Sequence, residues 1–376
     1  MSLSTSPQAA PPGTLAAAAA PDAPAVRTAA RPRLRVLDGL RFLAALMVVV
    51  FHYAGDRVWG DASATFPGLG TVAPYGWLGV QLFFMISGFV ICMSAWGKSL
   101  GAYVRSRVVR LMPAYWFCVL VTSAVLLLFP VAMTGSESVT PSRILTNLTM
   151  LEDPLKVGEI DPSYWTLWVE MRFYLIFAVV AWMGLNYRRV LNFCWVWTIA
   201  SLLAPSAGIP LLDTLTSAGS APLFISGIAF YLIRREGPRY TEPWALLALS
   251  WLLMQHHMIG TVGVYSPPSG KLSWSVCVAV VTFFYFVMAA VALGWLDRIN
   301  WKWLPAAGAV SYPLYLIHQQ IGVTLFERLK GEVAPWTLLL SVIAAMVFAG
   351  WLVQRFVERP GSDLVRRLLA KRPPGA

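Results

Sequence analysis

The chain has 376 residues, of which 57% are hydrophobic and 12% charged, and its formal net charge is +11. Soluble domains carry about 25% charged residues, and no soluble fold hides this much apolar surface. The composition excludes a disordered chain, a secreted disulfide scaffold and an ordinary cytosolic enzyme. It points to an all-α polytopic membrane bundle.

Residues 1–30 are mostly Ala, Pro, Ser and Thr, with Arg27 as their one basic residue. They lack the charged start and long apolar core of a signal peptide, so 1–33 is expected to be a disordered cytoplasmic tail. From Leu34 onwards apolar runs recur. The predicted spans are 36–54, 76–96, 113–133, 164–184, 190–206, 215–233, 242–259, 274–295, 305–326 and 335–356. That makes ten helices, each near the roughly 20 residues a bilayer crossing needs. With the N-terminus in the cytoplasm, 21 basic residues fall on inner segments and 6 on outer ones. The positive-inside rule therefore places both termini in the cytoplasm, and the excess charge speaks for a membrane surface and not for nucleic acid.

Most connections are short. The exception is the outer segment 134–163, which holds Glu137, Glu152, Asp153, Glu159 and Asp161. It reads equally well as a cover over an outer-face site or as a solvated connector. The membrane domain is expected to span 34–360, with 361–376 a basic cytoplasmic tail. Cys92, Cys118, Cys194 and Cys277 all fall in predicted spans without C-x-x-C spacing, which implies buried thiols and no metal site or disulfide.

Ionisable groups in hydrocarbon cost several kcal/mol unless paired or hydrated, so each is a functional candidate. The predicted spans hold Arg41, His52, Glu170, Arg172 and His318. Arg41 and His52 lie eleven residues apart, which puts them on one helix face about 16 Å apart along the axis. His52, Glu170 and His318 all count to the middle or outer half of their spans, so the three titratable groups are expected at one depth. Glu170 and Arg172 are two apart and do not face each other on a helix. Below this level Lys98, Arg105, Arg107 and Arg110 form a basic mouth. Arg107 and Arg110 share a helix face, which suits a phosphate-bearing ligand. His256 and His257 read as interfacial. Ser87, Gly79 and Gly88 read as helix-packing residues.

Six segments, taken in order, carry a resemblance. Leu37-Asp-Gly-Leu-Arg41 leading to His52, Gly79-Val-Gln-Leu-Phe-Phe-Met-Ile-Ser87-Gly88-Phe89, and Arg107-Val-Val-Arg110-Leu-Met-Pro113 open the series. Tyr164-Trp165-Thr-Leu-Trp168-Val-Glu170, Ser311-Tyr-Pro-Leu-Tyr315-Leu-Ile-His318 and Glu358-Arg359-Pro360 complete it. Together they resemble the integral-membrane acyltransferase-3 family across about 36–360. The pattern departs from the family at Gln81, where many members have Asp, at Met171, where many have a second Glu, and at Gln320, where Pro is common.

The resemblance implies an O-acyltransferase of a bacterial inner membrane. Its donor is acyl-CoA, acetyl-CoA or longer, with no metal. Its acceptor is a hydroxyl of a sugar, glycoside or lipid-linked saccharide. Arg41, Arg107 and Arg110 are then expected to hold the donor phosphates. His52 is expected as general base, Glu170 as the carboxylate that orients it, and His318 as a second acid/base or oxyanion donor. A covalent acyl-histidine is the competing version. Trp165 and Trp168 suit stacking on the sugar, while the other Trp residues suit an aromatic belt among membrane lipids. The rival functions are a multi-pass exporter of a glycoside or lipid-linked sugar and a non-catalytic scaffold. No inverted repeat of the transporter kind is visible.

Overall fold

The computed structural model describes Ser2 and residues 34–130, 138–267 and 270–370. The expected N-terminal tail, apart from Ser2, and residues 371–376 lie outside the described residues. Ten long helices follow one another: α1 (Arg35–Tyr53), α2 (Gly79–Ala95), α3 (Leu100–Leu128), α4 (Trp165–Met183), α5 (Tyr187–Ala207), α6 (Ala221–Glu236), α7 (Thr241–Tyr265), α8 (Trp274–Ala292), α9 (Leu304–Leu329) and α10 (Pro335–Val353). A shorter helix, α11 (Arg359–Ala370), follows α10 after a π-helical turn. No strand occurs among the described residues. The protein is an all-α multi-pass bundle whose large outward side chains, such as Val196, Phe286 and Phe348, are apolar and exposed, as a lipid-facing surface requires.

Nine helical stretches among the described residues are long and apolar enough to cross a bilayer, against ten expected. The difference lies at α9. Its 26 residues are ample length, but His318, Gln319 and Gln320 stand in succession and lower its apolar character. All three are buried, and α9 packs against α1, α3 and α10. A helix walled in by other helices does not need the apolar coat that lipid demands.

α3 also begins earlier than its apolar run suggests, so Arg105, Arg107 and Arg110 are helical. Ser99 caps it, accepting from the Ala102 amide at 3.4 Å, a common way to satisfy a helix start. Pro113 sits inside this helix and cannot donate to the Val109 carbonyl. Ser362 of α11 takes the vacated role, its hydroxyl donating to the Val109 carbonyl at 2.8 Å. Gly361 lets α11 approach, since a Cβ there would lie 2.7 Å from Pro113 Cβ. The stretch expected as a basic tail is thus helical through Ala370 and packed along α3.

Close backbone contact joins α2 to α6. A Cβ on Gly88 would collide with the Phe224 carbonyl, and one on Gly227 with the Met85 carbonyl. Small residues that let backbones touch are the usual currency of helix association in lipid. The four cysteines are buried and free.

Gly227→Val should therefore lower the thermal unfolding temperature in nanodiscs, with an overpacking cost of about 1–3 kcal/mol. Gly260→Ala on α7, where an added Cβ meets nothing within 4 Å, should not lower it. Equal melting of both variants would contradict the α2–α6 contact.

Candidate active site

α1 and α9 pack together and bring two imidazoles into contact. His318 Nε2 lies 3.1 Å from His52 Nδ1. His52 Nδ1 also lies 2.9 Å from the Val48 carbonyl, and His318 Nδ1 lies 2.7 Å from the Tyr315 carbonyl. The carbonyls assign the protons. His318 Nδ1 faces only an acceptor, so it carries hydrogen and leaves Nε2 as a lone pair. His52 Nδ1 then faces two acceptors and must itself carry hydrogen. The remaining nitrogen, His52 Nε2, is an unprotonated base. This assignment follows from the hydrogen-bond network, which is how tautomers are inferred.

His318 is fully buried and His52 half-buried. His52 lines a cavity of about 40 Å³, room for a water or two. Aromatic rings dominate its walls. Trp77 and Tyr265 stack at 4.2 Å, and Trp165 and Tyr315 close other sides, with Gln319 and Ser163 as polar contributors.

α9 is pinned on both sides of His318. The Tyr53 hydroxyl donates to the His318 carbonyl at 2.5 Å. The Tyr164 hydroxyl donates to the Leu316 carbonyl at 3.1 Å, and the Gln320 amide donates to Asp161 Oδ2 at 2.9 Å. Leu316 and Gln320 are one i→i−4 pair, so a single rung of α9 finds partners outside the helix for both members. Asp161 Oδ1 accepts from the Ser163 amide at 2.9 Å and the Ser163 hydroxyl at 2.6 Å. The Tyr315 hydroxyl meets Thr166 Oγ1 at 2.7 Å.

Glu170 stands elsewhere. Its carboxylate accepts from the Ser87 hydroxyl at 2.5 Å and hydrogen-bonds the Tyr174 hydroxyl. α4 runs from Thr166, level with Tyr315, one turn further to Glu170, away from His318. The carboxylate is therefore on the order of 10 Å below the imidazoles. The expectation of three titratable groups at one depth is corrected: counting from span ends missed the different heights at which the helices begin. No hydrogen bond joins Glu170 to either histidine among the described residues.

Glu170 belongs to the basic end. Arg41 is buried, lies over the Phe83 ring at 5.8 Å, and has Arg110, Glu170 and Asp38 as its charged neighbours. Its Nε has no hydrogen-bond partner. Arg107 donates to Ser94 and Ser106 and lies over the Tyr174 ring at 6.0 Å. Arg110 lines an open basin of about 620 Å³ with Lys98, Arg105, Ser362, Arg366 and Glu358. Of Arg107 and Arg110, expected on one face, only Arg110 lines this basin. Trp165 reaches the His52 cavity. Trp168 does not; it is buried under the Arg172 guanidinium at 5.6 Å, and Arg172 donates to the Thr214 carbonyl at 2.7 Å. Sequence reasoning missed Asp161, Tyr53 and Tyr315. Their signal was the polar run around an otherwise apolar helix start, Asp161-Pro-Ser163-Tyr164, and the tyrosines flanking each histidine.

A family model described as an acyltransferase domain, of the acyltransferase-3 type, matches residues 34–355. The chain belongs to the acyltransferase-3 family. It is a multi-pass membrane acyltransferase. The acyltransferase MdmB of Streptomyces mycarofaciens is 27% identical to it over 383 residues, covering 92% of this chain and 94% of its own length. The exopolysaccharide production protein ExoZ of Rhizobium meliloti (strain 1021) is 28% identical over 313 residues, covering 79% of this chain and 92% of its own. No solved structure matches this acyltransferase.

One buried acid outside the spans has a measurable consequence. Glu152 is 1% exposed, and its Oε2 has no partner. Desolvation pushes its carboxyl up to about 7 from 4.5. The folded state then holds a proton that the unfolded chain has released. Stability from the neutral acid is fully present below 4.5 and is lost as pH rises through 7. Glu152→Gln should melt higher than wild type at pH 8, and the two curves should converge towards pH 4.5. A constant gap at all pH values would contradict this.

Proposed function

We propose that this acyltransferase moves an acyl group from acyl-CoA to a hydroxyl of a sugar, glycoside or related acceptor, with His52 as general base. The observation that carries the reading is the tautomer chain from Tyr315 through His318 to His52. It leaves His52 Nε2 as a free base beside a cavity walled by aromatic rings. The name of the exopolysaccharide relative supports a sugar-bearing acceptor, and the aromatic walls suit a sugar ring.

His52 Nε2 takes the proton of the acceptor hydroxyl as the oxygen attacks the thioester carbonyl. The C–O bond forms, the C–S bond breaks, and the sulfur leaves with its electron pair. His52 then returns the proton to the sulfur. While His52 is cationic, its Nδ1–H is held by the Val48 carbonyl and by the His318 Nε2 lone pair. His318 thus fills the orienting place that the carboxylate holds in a Ser-His-Asp triad, and Glu170 is released from it.

Glu170 instead serves the donor end. It stands beside Arg41 with Asp38 and Arg110, and the positive excess that suits an anionic donor comes from Lys98, Arg105 and Arg366 around the basin. The partnerless Arg41 Nε and the basin of Lys98, Arg105, Arg110 and Arg366 suit the phosphates. The positive-inside count supports a cytoplasmic placement of this end and of both termini, and the family supports a bacterial plasma membrane, with acyl-CoA supplied from the cytoplasm. The seam between the two ends, lined by Ala44, Ala45, Val48, Gly79, Val80 and Phe83, holds a void of only about 10 Å³, so a pantetheine arm would pass along it only as the helices part. Membrane lipids surround the bundle.

The test is free-thiol release from acetyl-, propionyl- and longer acyl-CoA by purified protein, with and without a panel of hydroxylated glycosides. Acceptor-dependent thiol release is expected. His52→Ala should lose at least 100-fold in turnover, within the usual yield of a general base, while still binding acyl-CoA. Arg107→Ala should weaken donor binding about tenfold, near the worth of one charge-assisted hydrogen bond. Full turnover in His52→Ala would sink the mechanism, and absence of both thiol release and donor binding would sink the reading.

A further inference from the structure

The outer segment ends on a carboxylate with an unusual position. Asp161 is fully buried. It reaches across from the segment before α4 to the backbone of α9, two residues beyond His318. Its other oxygen gathers the amide and hydroxyl of Ser163. Three donors therefore converge on one carboxylate, and an ionised carboxylate is acceptor-only. The Ser163 carbonyl in turn accepts from the Tyr315 hydroxyl at 3.1 Å, and Tyr315 is the residue whose own carbonyl fixes the His318 proton.

We propose that Asp161 is a positioning residue: its ionised carboxylate anchors α9 so that the His318 Nε2 lone pair stays on His52 Nδ1. This rests on the reading of His52 as general base. The groups that face Asp161 are Tyr53 from α1, Cys118 from α3, Tyr164 at the start of α4, Tyr315 from α9 and Glu159 on its own segment. None of these is a cation, and the hydrogen bonds shown among the described residues hold the charge. Burial pushes the carboxyl up to about 6, against the opposing pull of the Ser163 and Gln320 bonds. On protonation one oxygen gains a hydrogen that must point at a donor, and the anchor loosens. Activity is then present above about 6 and fades as pH falls through it. An outer segment that sets the histidine pair also gives the acceptor side of the membrane a handle on the base.

Asp161→Asn keeps the shape but turns an amide hydrogen towards one of the three donors. Its kcat should fall at least tenfold at pH 7.5, with acyl-CoA affinity at the basic end unchanged within twofold. Ser163→Ala removes one bond that favours the charged carboxylate, so it should move the acid limb of kcat to higher pH. A residue that only supports the fold would not shift that limb. A second readout needs no turnover. Carbethoxylation of His318 by diethyl pyrocarbonate, followed by peptide mass spectrometry, should be several-fold faster in Asp161→Asn, because its Nε2 is no longer covered by His52. Wild-type carbethoxylation in Asp161→Asn overturns the proposal, and so does an unmoved acid limb in Ser163→Ala. Parallel loss of donor affinity, melting temperature and kcat in Asp161→Asn assigns a purely structural role and also overturns it. If wild type turns over no acyl-CoA, the functional reading fails, and carbethoxylation alone still decides whether Asp161 holds His318.

Discussion

The contact between His52 and His318 sets the terms for the rest of the bundle. Two neutral imidazoles 3.1 Å apart have only one productive arrangement of hydrogens, and two backbone carbonyls impose it. Carbonyls of a helix cannot rotate away or change charge, so the helix backbone itself fixes the protons. The cost is that α9 carries three polar side chains, His318, Gln319 and Gln320, at membrane depth. Such groups are tolerated in a bilayer only inside protein. The packing of α1, α3 and α10 around α9, and the tyrosine hydroxyls that reach its carbonyls, follow from that need.

The second organising fact is the separation of charge along the bundle. The arginines and Glu170 gather at one end, and the neutral histidines sit at the other, joined by a narrow apolar strip of Ala44, Val48 and Gly79. A cationic cluster beside the histidines would oppose the formation of an imidazolium. Distance keeps that cationic field away from the imidazoles.

Much of this was legible in the sequence, for reasons that differ by element. The long helices announce themselves because lipid forces an apolar surface on any helix it touches. α9 is legible too, as the span expected over 305–326, although its polar centre departs from the apolar coat because a helix hidden behind others escapes that rule. The histidines stood out because an imidazole at membrane depth is costly and therefore conspicuous, and the fold brings the two together. Glu170 was found for the same reason but given the wrong neighbour, since depth counted from span ends ignores where each helix starts. Asp161 was invisible as a site residue: in a segment with four other acids it looks like solvated charge, and only the fold shows that it is buried against α9. The C-terminal stretch read as a tail because its charges dominate, whereas Gly361 and Ser362, the residues that dock it, are chemically quiet.

That docking bears on how the chain is made. The Val109 carbonyl is vacated by Pro113, and the hydroxyl that satisfies it arrives from Ser362, 253 residues later. Throughout synthesis and insertion α3 must therefore wait, with an open carbonyl in its middle, for a helix 253 residues later to emerge. Assembly of the basic end is in this sense a check on how far the chain has been made. A chain released early by the ribosome would insert most of its helices and still lack the piece that finishes the third.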